Sequence, residues 1–301
     1  MDLGTIYTSA LQLVWKHKWL WLLGILASIY NVVVFAGSLF QTVMASGRAP
    51  VALSGQFLEV LAPETIKPFA WVLIGLSALA LAALLGYVLV SAQAALARAI
   101  WQIRTEPTAA PHFNQLWRFG QPYFWRVLWF NLLIGVLTTG IGLVVGGLWL
   151  AASYFCGVLF FLLIILVGAL GVLTGLIHPL GVLAIVSENR TVLPALRRAW
   201  VLLRTRWGDL LYLWFITTLI SLVVHSIVLT PILLVIMAGL AQGHQTGLPS
   251  ALLILGGLAV MFILGLLTVF LQAVWRNGFE ESTTWLTEIK RMKAETAANR
   301  K

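Results

Sequence analysis

Charge is what this sequence has least of. Only 10% of its 301 residues are Asp, Glu, Lys or Arg, against 60% hydrophobic residues and a mean hydropathy of +0.96. A soluble domain carries about a quarter charged residues, and these few cannot cover a globule of 33.1 kDa. The abundance of Leu, Ile, Val and Phe equally excludes a disordered chain. Cysteine is nearly absent, with Cys156 alone, so an intramolecular disulfide and a cysteine-based metal cluster are both excluded. HExxH, CxxC, GxSxG and a P-loop are missing, and the 10 acids form no evident intramembrane dyad. The chain is expected not to be an enzyme, and to carry no cofactor and no metal.

What is present is apolar length. A helix crosses a bilayer with about 20 mainly apolar residues, and six stretches qualify: 19–43, 69–97, 127–150, 154–186, 210–239 and 250–275. None has a charged residue in its middle. The first follows Lys16 and Lys18 but runs to Val43, well beyond the roughly 7–15 residues of a signal peptide core. It reads as a membrane helix that also directs insertion. The charged stretch 280–301 reads as a cytoplasmic tail, a short helix with a frayed end.

The net charge of +9 suggests a nucleic-acid partner only until the charges are placed. They fall between the apolar runs rather than along one basic face, so no nucleic-acid partner is expected. All of the 19 basic residues except Arg48 and Lys67 fall on one side of the six spans. The positive-inside rule therefore puts both termini in the cytoplasm. All of the 14 tryptophans except Trp71 and Trp149 cluster near the same side, where an indole is half buried at headgroup level. The location read from this pattern is the bacterial cytoplasmic (inner) membrane.

An internal repeat runs through the chain. Trp117 aligns with Trp200, and the alignment brings Pro111 onto Pro194 and Thr108 onto Thr191 without a gap. Ser9 to Trp21 offers a third version. Each copy is a short amphipathic segment, a Trp, basic residues, another aromatic and then a membrane helix. The fold class that follows is all-α: a single polytopic integral membrane domain over 1–301, with six transmembrane helices. Its three parallel hairpin units, about 5–104, 108–188 and 191–285, each begin with a cytoplasmic interfacial segment. In the third copy Leu193, Leu196, Trp200 and Leu203 recur at helical spacing, and Pro194 suits a first turn. Arg197, Arg198, Arg204 and Arg206 are the candidates for anionic headgroups of the cytoplasmic leaflet. A plain cytoplasmic connection is the alternative. Membrane lipids are the expected partners, with a homo-oligomer or another membrane protein also open.

Polar residues inside the spans are few. Thr218, Ser221 and His225 are spaced by three and four, so they share one helix face, with Ser226 and Thr230 close by and Pro231 following. A histidine at this depth is a candidate for a substrate, ion or lipid site. The plainer alternative is a neutral helix–helix hydrogen bond, with Pro231 kinking the helix. His178, Gln93 and Gln272 form a second candidate group, at comparable inner-end heights from which they could hydrogen-bond across the bundle. Gly142 with Gly146, Gly171 with Gly175, and Ala82 with Gly86 offer spacings for close helix packing.

Two segments carry a resemblance. Lys16-His-Lys-Trp-Leu-Trp-Leu-Leu-Gly24 and the stretch from Ala184 to Gly208, which includes Ser187-Glu-Asn-Arg-Thr-Val-Leu-Pro-Ala-Leu-Arg-Arg-Ala-Trp200, resemble uncharacterised bacterial polytopic membrane proteins. They are similar to the membrane domain fused to some glycerophosphoryl diester phosphodiesterases. The resemblance implies proximity to lipid headgroup metabolism. The phosphodiesterase activity of that family lies in a separate soluble barrel, for which these residues leave no room, so no catalytic role passes to any residue here. A scaffold or a lipid- or envelope-associated factor is the expected role, with a small transporter of a neutral or lipidic solute as the alternative.

Overall fold

The computed structural model describes residues 2–29, 68–105, 113–152, 157–229 and 248–298. Every regular element among them is helical. Five stretches are long and apolar enough to cross a membrane, within Val72–Thr105, Phe113–Val145, Phe161–Ser187, Trp207–Ile227 and Leu255–Thr296. The chain is a multi-pass membrane protein.

The helices are α1 (Leu3–Lys16), α2 (Leu20–Ile29), α3 (Pro68–Thr105), α4 (Phe113–Gly120), α5 (Phe124–Ala152), α6 (Gly157–Ser187), α7 (Val192–Thr205), α8 (Trp207–Val224) and α9 (Leu248–Ala298). Of the expected span 19–43 only α2 is described. The part of 210–239 beyond Leu229 also lies outside the described residues. One expectation is corrected. The stretch after Glu280 is no separate short helix, because α9 continues unbroken to Ala298. No Gly or Pro follows Gly278 in it, and Arg291 pairs one turn on with Glu295 at 2.8 Å. At 1.5 Å per residue α9 is roughly 77 Å long, more than twice a bilayer core of about 30 Å. Phe279, Ser282 and Leu286 are buried, so the first part of this extension stays against the rest of the protein, while Arg291, Met292 and Glu295 beyond it are exposed.

Three short amphipathic helices precede long ones. α1 begins at Asp2, whose Oδ1 accepts from the backbone N–H of Gly4 at 3.1 Å, satisfying an open donor of the first turn. Its Ile6, Ala10 and Val14 recur every fourth residue and are buried, and α1 packs on α9. In the same way α4 packs on α3 and α7 on α6. α7 does so through Ala195, Ala199, Leu202 and Leu203. Its Leu193 and Trp200 lie on the open side, at 63% and 50% exposure, so the apolar positions of α7 divide between two faces. Pro194 sits in the first turn, as its missing N–H favours.

The three long helices α3, α6 and α9 touch one another pairwise, and their lower halves supply most of the core, from Val90 to Ile103, Leu176 to Val186 and Val269 to Phe279. Around them α5 pairs with α6, and α8 touches α6 and α9. Two glycines allow the closest approach. A Cβ on Gly265 of α9 would lie 2.8 Å from the backbone nitrogen of Ile25, and one on Gly24 of α2 would strike the Gly265 carbonyl. These are not the expected small-residue pairs. Gly86, Gly142 and Gly171 have nothing within 4 Å among the described residues, and Gly146 lies outside the described side chains.

The turn from α6 to α7 needs one left-handed residue, Asn189, at φ 51°; Asn tolerates this conformation better than most side chains. Arg126 of α5 holds it, donating from Nη1 to Asn189 Oδ1 at 2.5 Å and to its carbonyl at 3.2 Å.

Candidate functional site

α8 presents the line of polar residues that its spacing requires. Thr218, Ser221 and His225 all border one open-sided groove of about 440 Å³. The opposite walls come from Gly175 of α6 and from Leu271 and Trp275 of α9. Trp214, Thr217 and Leu222 complete the α8 side. Its shape depends on Gly175, because a Cβ there would meet the Trp214 indole nitrogen at 2.5 Å. Among the described residues no Asp, Glu, Lys or Arg borders the groove. Ser226 is exposed and does not line it, and Thr230 and Pro231 lie outside the described residues.

His225 is turned onto its own helix. Its Nδ1 lies 2.6 Å from the Ser221 carbonyl oxygen and 3.3 Å from Ser221 Oγ. A carbonyl only accepts, so Nδ1 carries the proton and donates to it. The Ser221 hydroxyl therefore cannot donate to the same nitrogen, and the pair is not a nucleophile with its base. In the neutral ring Nε2 remains as an acceptor, and among the described residues it has no hydrogen-bond partner. The His225 backbone N–H is shared between the carbonyls of Ser221 and Leu222, and the chain continues as a π-helical turn, His225–Leu229. The ladder thus loosens in the last described turn, ahead of Pro231, which has no N–H to offer it.

The second candidate group is partly joined. His178 Nε2 lies 3.0 Å from Asn131 Oδ1, and Asn131 Nδ2 donates to Gln93 Oε1 at 3.0 Å. Since the Asn131 amide already donates to Gln93, its oxygen accepts and His178 Nε2 is the donor. Three helices, α3, α5 and α6, are thereby tied through one polar chain. Gln272 stands apart, its Oε1 buried without a partner among the described residues. Asn131 is a link that sequence reasoning missed; its signal was a lone amide in an otherwise apolar run.

The four arginines separate into two pairs. Arg198 donates to Glu188 Oε1 at 3.0 Å, and Arg190 pairs with the other carboxylate oxygen of the same residue. Arg206 lies 2.6 Å from Asp209 and 3.7 Å from Glu281, and covers the Trp285 ring at 5.3 Å. Arg197 and Arg204 are exposed.

A further cluster emerges around a residue that the charge count treats only as one of the one-sided basic residues. Arg276 of α9 is only 1% exposed, and its guanidinium lies over the Trp101 ring at 4.9 Å. Glu280 Oε2 approaches Arg276 Nη1 to 2.7 Å, as a charge contact rather than an aligned hydrogen bond. Its Nε and Nη2 have no acceptor among the described residues. Arg104 bonds to Asn277 Oδ1 and lies 3.9 Å from Glu280. Among the described residues no three of His, Cys, Asp and Glu come together as a metal site.

No family model, no curated protein and no solved structure matches the chain.

Proposed function

We propose that this chain is a non-enzymatic membrane factor of the bacterial inner membrane, acting as a scaffold or in association with lipid. The observation that carries this reading is the groove along α8, which is open-sided and, among the described residues, lined by no charged side chain. A charge pair would suit an ion or proton pathway; here His225 Nδ1 is committed to its own backbone, and among the described residues no carboxylate borders the groove. Apolar chains of the bilayer are the molecules already at hand at that depth.

In this reading the chain has six spans in three parallel hairpin units, about 5–104, 108–188 and 191–285, with both termini cytoplasmic. The apolar sequence that continues from α2 to Val43 supports the sixth span. The three units are supported by the shared arrangement of α1 on α9, α4 on α3 and α7 on α6. Headgroup contact falls to Arg197 and Arg204, since Arg198 and Arg206 are engaged by acids of the protein itself. The resemblance to the membrane domain of glycerophosphoryl diester phosphodiesterases agrees with a role beside lipid metabolism.

Native mass spectrometry of gently extracted protein tests the role. Bound lipid is expected, and protein that flies bare would overturn the lipid association; the same spectrum reads the oligomeric state. For topology, Cys156 is first replaced by Ser. A cysteine at Thr246 should then be labelled from outside and one at Thr205 from inside; the opposite pattern overturns the orientation. A second reading, transport of a neutral or lipidic solute, draws on the convergence of Thr218, Ser221 and His225 on one groove. It requires that His225→Ala abolish uptake of such a solute at unchanged protein level.

A further inference from the structure

The groove has a chemistry narrower than apolar. From Trp214 to His225 it follows α8 for about 16 Å at 1.5 Å per residue, so it is a slot parallel to the helix rather than a round pocket. Leu222, Leu271 and Trp275 give it an apolar surface. At its upper end stands His225, with Nδ1 committed to the Ser221 carbonyl at 2.6 Å. The ring nitrogen left over, Nε2, can only accept while the ring is neutral. The occupant of such a slot has three properties: an extended apolar chain, no charge, and a hydrogen-bond donor at the end that meets His225. A phosphate or a carboxylate fails on the second property, because among the described residues no cation borders the groove to offset its desolvation. A plain ester or ether can accept from the Ser221 and Thr218 hydroxyls or the Trp214 indole, but having acceptors only it leaves His225 Nε2 without a donor.

We propose that the α8 groove binds an uncharged long-chain lipid alcohol, its hydroxyl donating to His225 Nε2 and its chain lying along Leu222, Leu271 and Trp275. This rests on the lipid-associated reading above and adds the headgroup to it. The Ser221 hydroxyl, 3.3 Å from Nδ1, is placed beside the same end as a second hydrogen-bonding group. Trp214 over Gly175 bounds the slot on the side of α6.

The test uses the full chain in phospholipid vesicles with three photoactivatable probes of equal chain length: a long-chain alcohol, its methyl ether and the corresponding fatty acid. Peptide mapping reads labelling of α8 between Trp214 and His225. One hydrogen bond in a membrane interior corresponds to about a three- to tenfold preference, so the alcohol is expected to label this stretch by that factor over the ether. In His225→Phe, which keeps a ring of similar size, alcohol labelling is expected to fall to the ether level. Equal labelling by alcohol and ether in the unaltered protein overturns the hydroxyl assignment and leaves a lipid groove standing. Stronger labelling by the acid overturns the uncharged class. If none of the probes labels α8 while the exposed outer half of α3 is labelled, the lipid reading of the groove itself fails. Should His225→Phe not accumulate, the alcohol and ether on the unaltered protein decide the matter alone.

Discussion

The side-chain amide of Asn277 donates to Ser9 Oγ at 3.0 Å, and the same nitrogen reaches the Ile6 carbonyl at 3.2 Å. Its oxygen accepts from Arg104. One buried amide thus joins α1, α3 and α9, which lie far apart in sequence. The apolar contacts of Ile6, Ala10 and Val14 bring α1 to α9, but such contacts are tolerant of sliding along the helix. Directed bonds to a carbonyl and a hydroxyl fix the register.

Asn277→Ala should therefore loosen α1 more than the rest of the protein. Losing the bonds and leaving the Arg104 guanidinium with one partner fewer is expected to cost about 1–3 kcal/mol. Limited proteolysis of the extracted protein should cut within residues 2–16 sooner than in the unaltered chain. Equal cleavage rates would show that apolar contact alone holds α1.

Tyr7 should behave in the opposite way. Its hydroxyl is buried with no partner among the described residues, so Tyr7→Phe removes an unsatisfied polar group and should leave thermal stability unchanged or raised. Burial first, and the neighbouring Tyr212 second, push the Tyr7 phenol up from 10.0 to about 12. The folded state therefore holds this proton more tightly than the unfolded chain does. The resulting stabilisation is complete below about pH 10 and is lost as pH rises toward 12. Thermal unfolding followed from pH 9 to 12 should show a smaller alkaline decline in Tyr7→Phe than in the unaltered protein.

Two glycines should respond differently to a methyl group. At Gly265 the added Cβ meets backbone atoms of Ile25, at 2.8 Å from N and 2.9 Å from Cα. Backbone cannot swing aside, so Gly265→Ala is expected to destabilise by about 1–3 kcal/mol. At Gly175 the added Cβ meets the edge of a side chain, Trp214. Gly175→Ala should move the indole into the groove, lowering lipid labelling there while costing less stability. Comparable losses of thermal stability in both variants would contradict this distinction.

The polar chain from Gln93 through Asn131 to His178 is open to a double-mutant cycle. Asn131→Leu and His178→Leu should each destabilise by roughly 1 kcal/mol, the usual size for interhelical bonds in membranes. Together they should cost less than the sum of the two, because the first change already breaks the bond. Strict additivity in thermal or denaturant unfolding would mean that the bond contributes nothing.

Hydropathy was enough to find the long helices, because a membrane span must bury its own backbone polar groups and leaves a run of apolar residues as the trace. The common face of Thr218, Ser221 and His225 was legible for a similar reason, since one helical period decides it. The far wall was not. Gly175 and Trp214 belong to different helices, and no local pattern records that they meet. The small-residue spacings misled in the same way: a GxxxG pattern describes one helix, whereas a close crossing needs room on both at one height, as Gly24 and Gly265 provide. Arg276 reads in sequence as only one more one-sided basic residue, because Trp101 becomes its neighbour only once α3 and α9 pack. The length of α9 was missed because a change from apolar to charged residues marks the end of a membrane span, not of a helix.

The seat of α1 on α9 also sets an order of events during synthesis. Ile6 and Asn277, which bond to each other, are 271 residues apart. At about 5–20 residues per second, α1 leaves the ribosome roughly 15–50 s before its docking surface exists. Through that interval the apolar face of Ile6, Ala10 and Val14 lacks the helix on which it comes to rest. A helix made late in synthesis thus completes one made early.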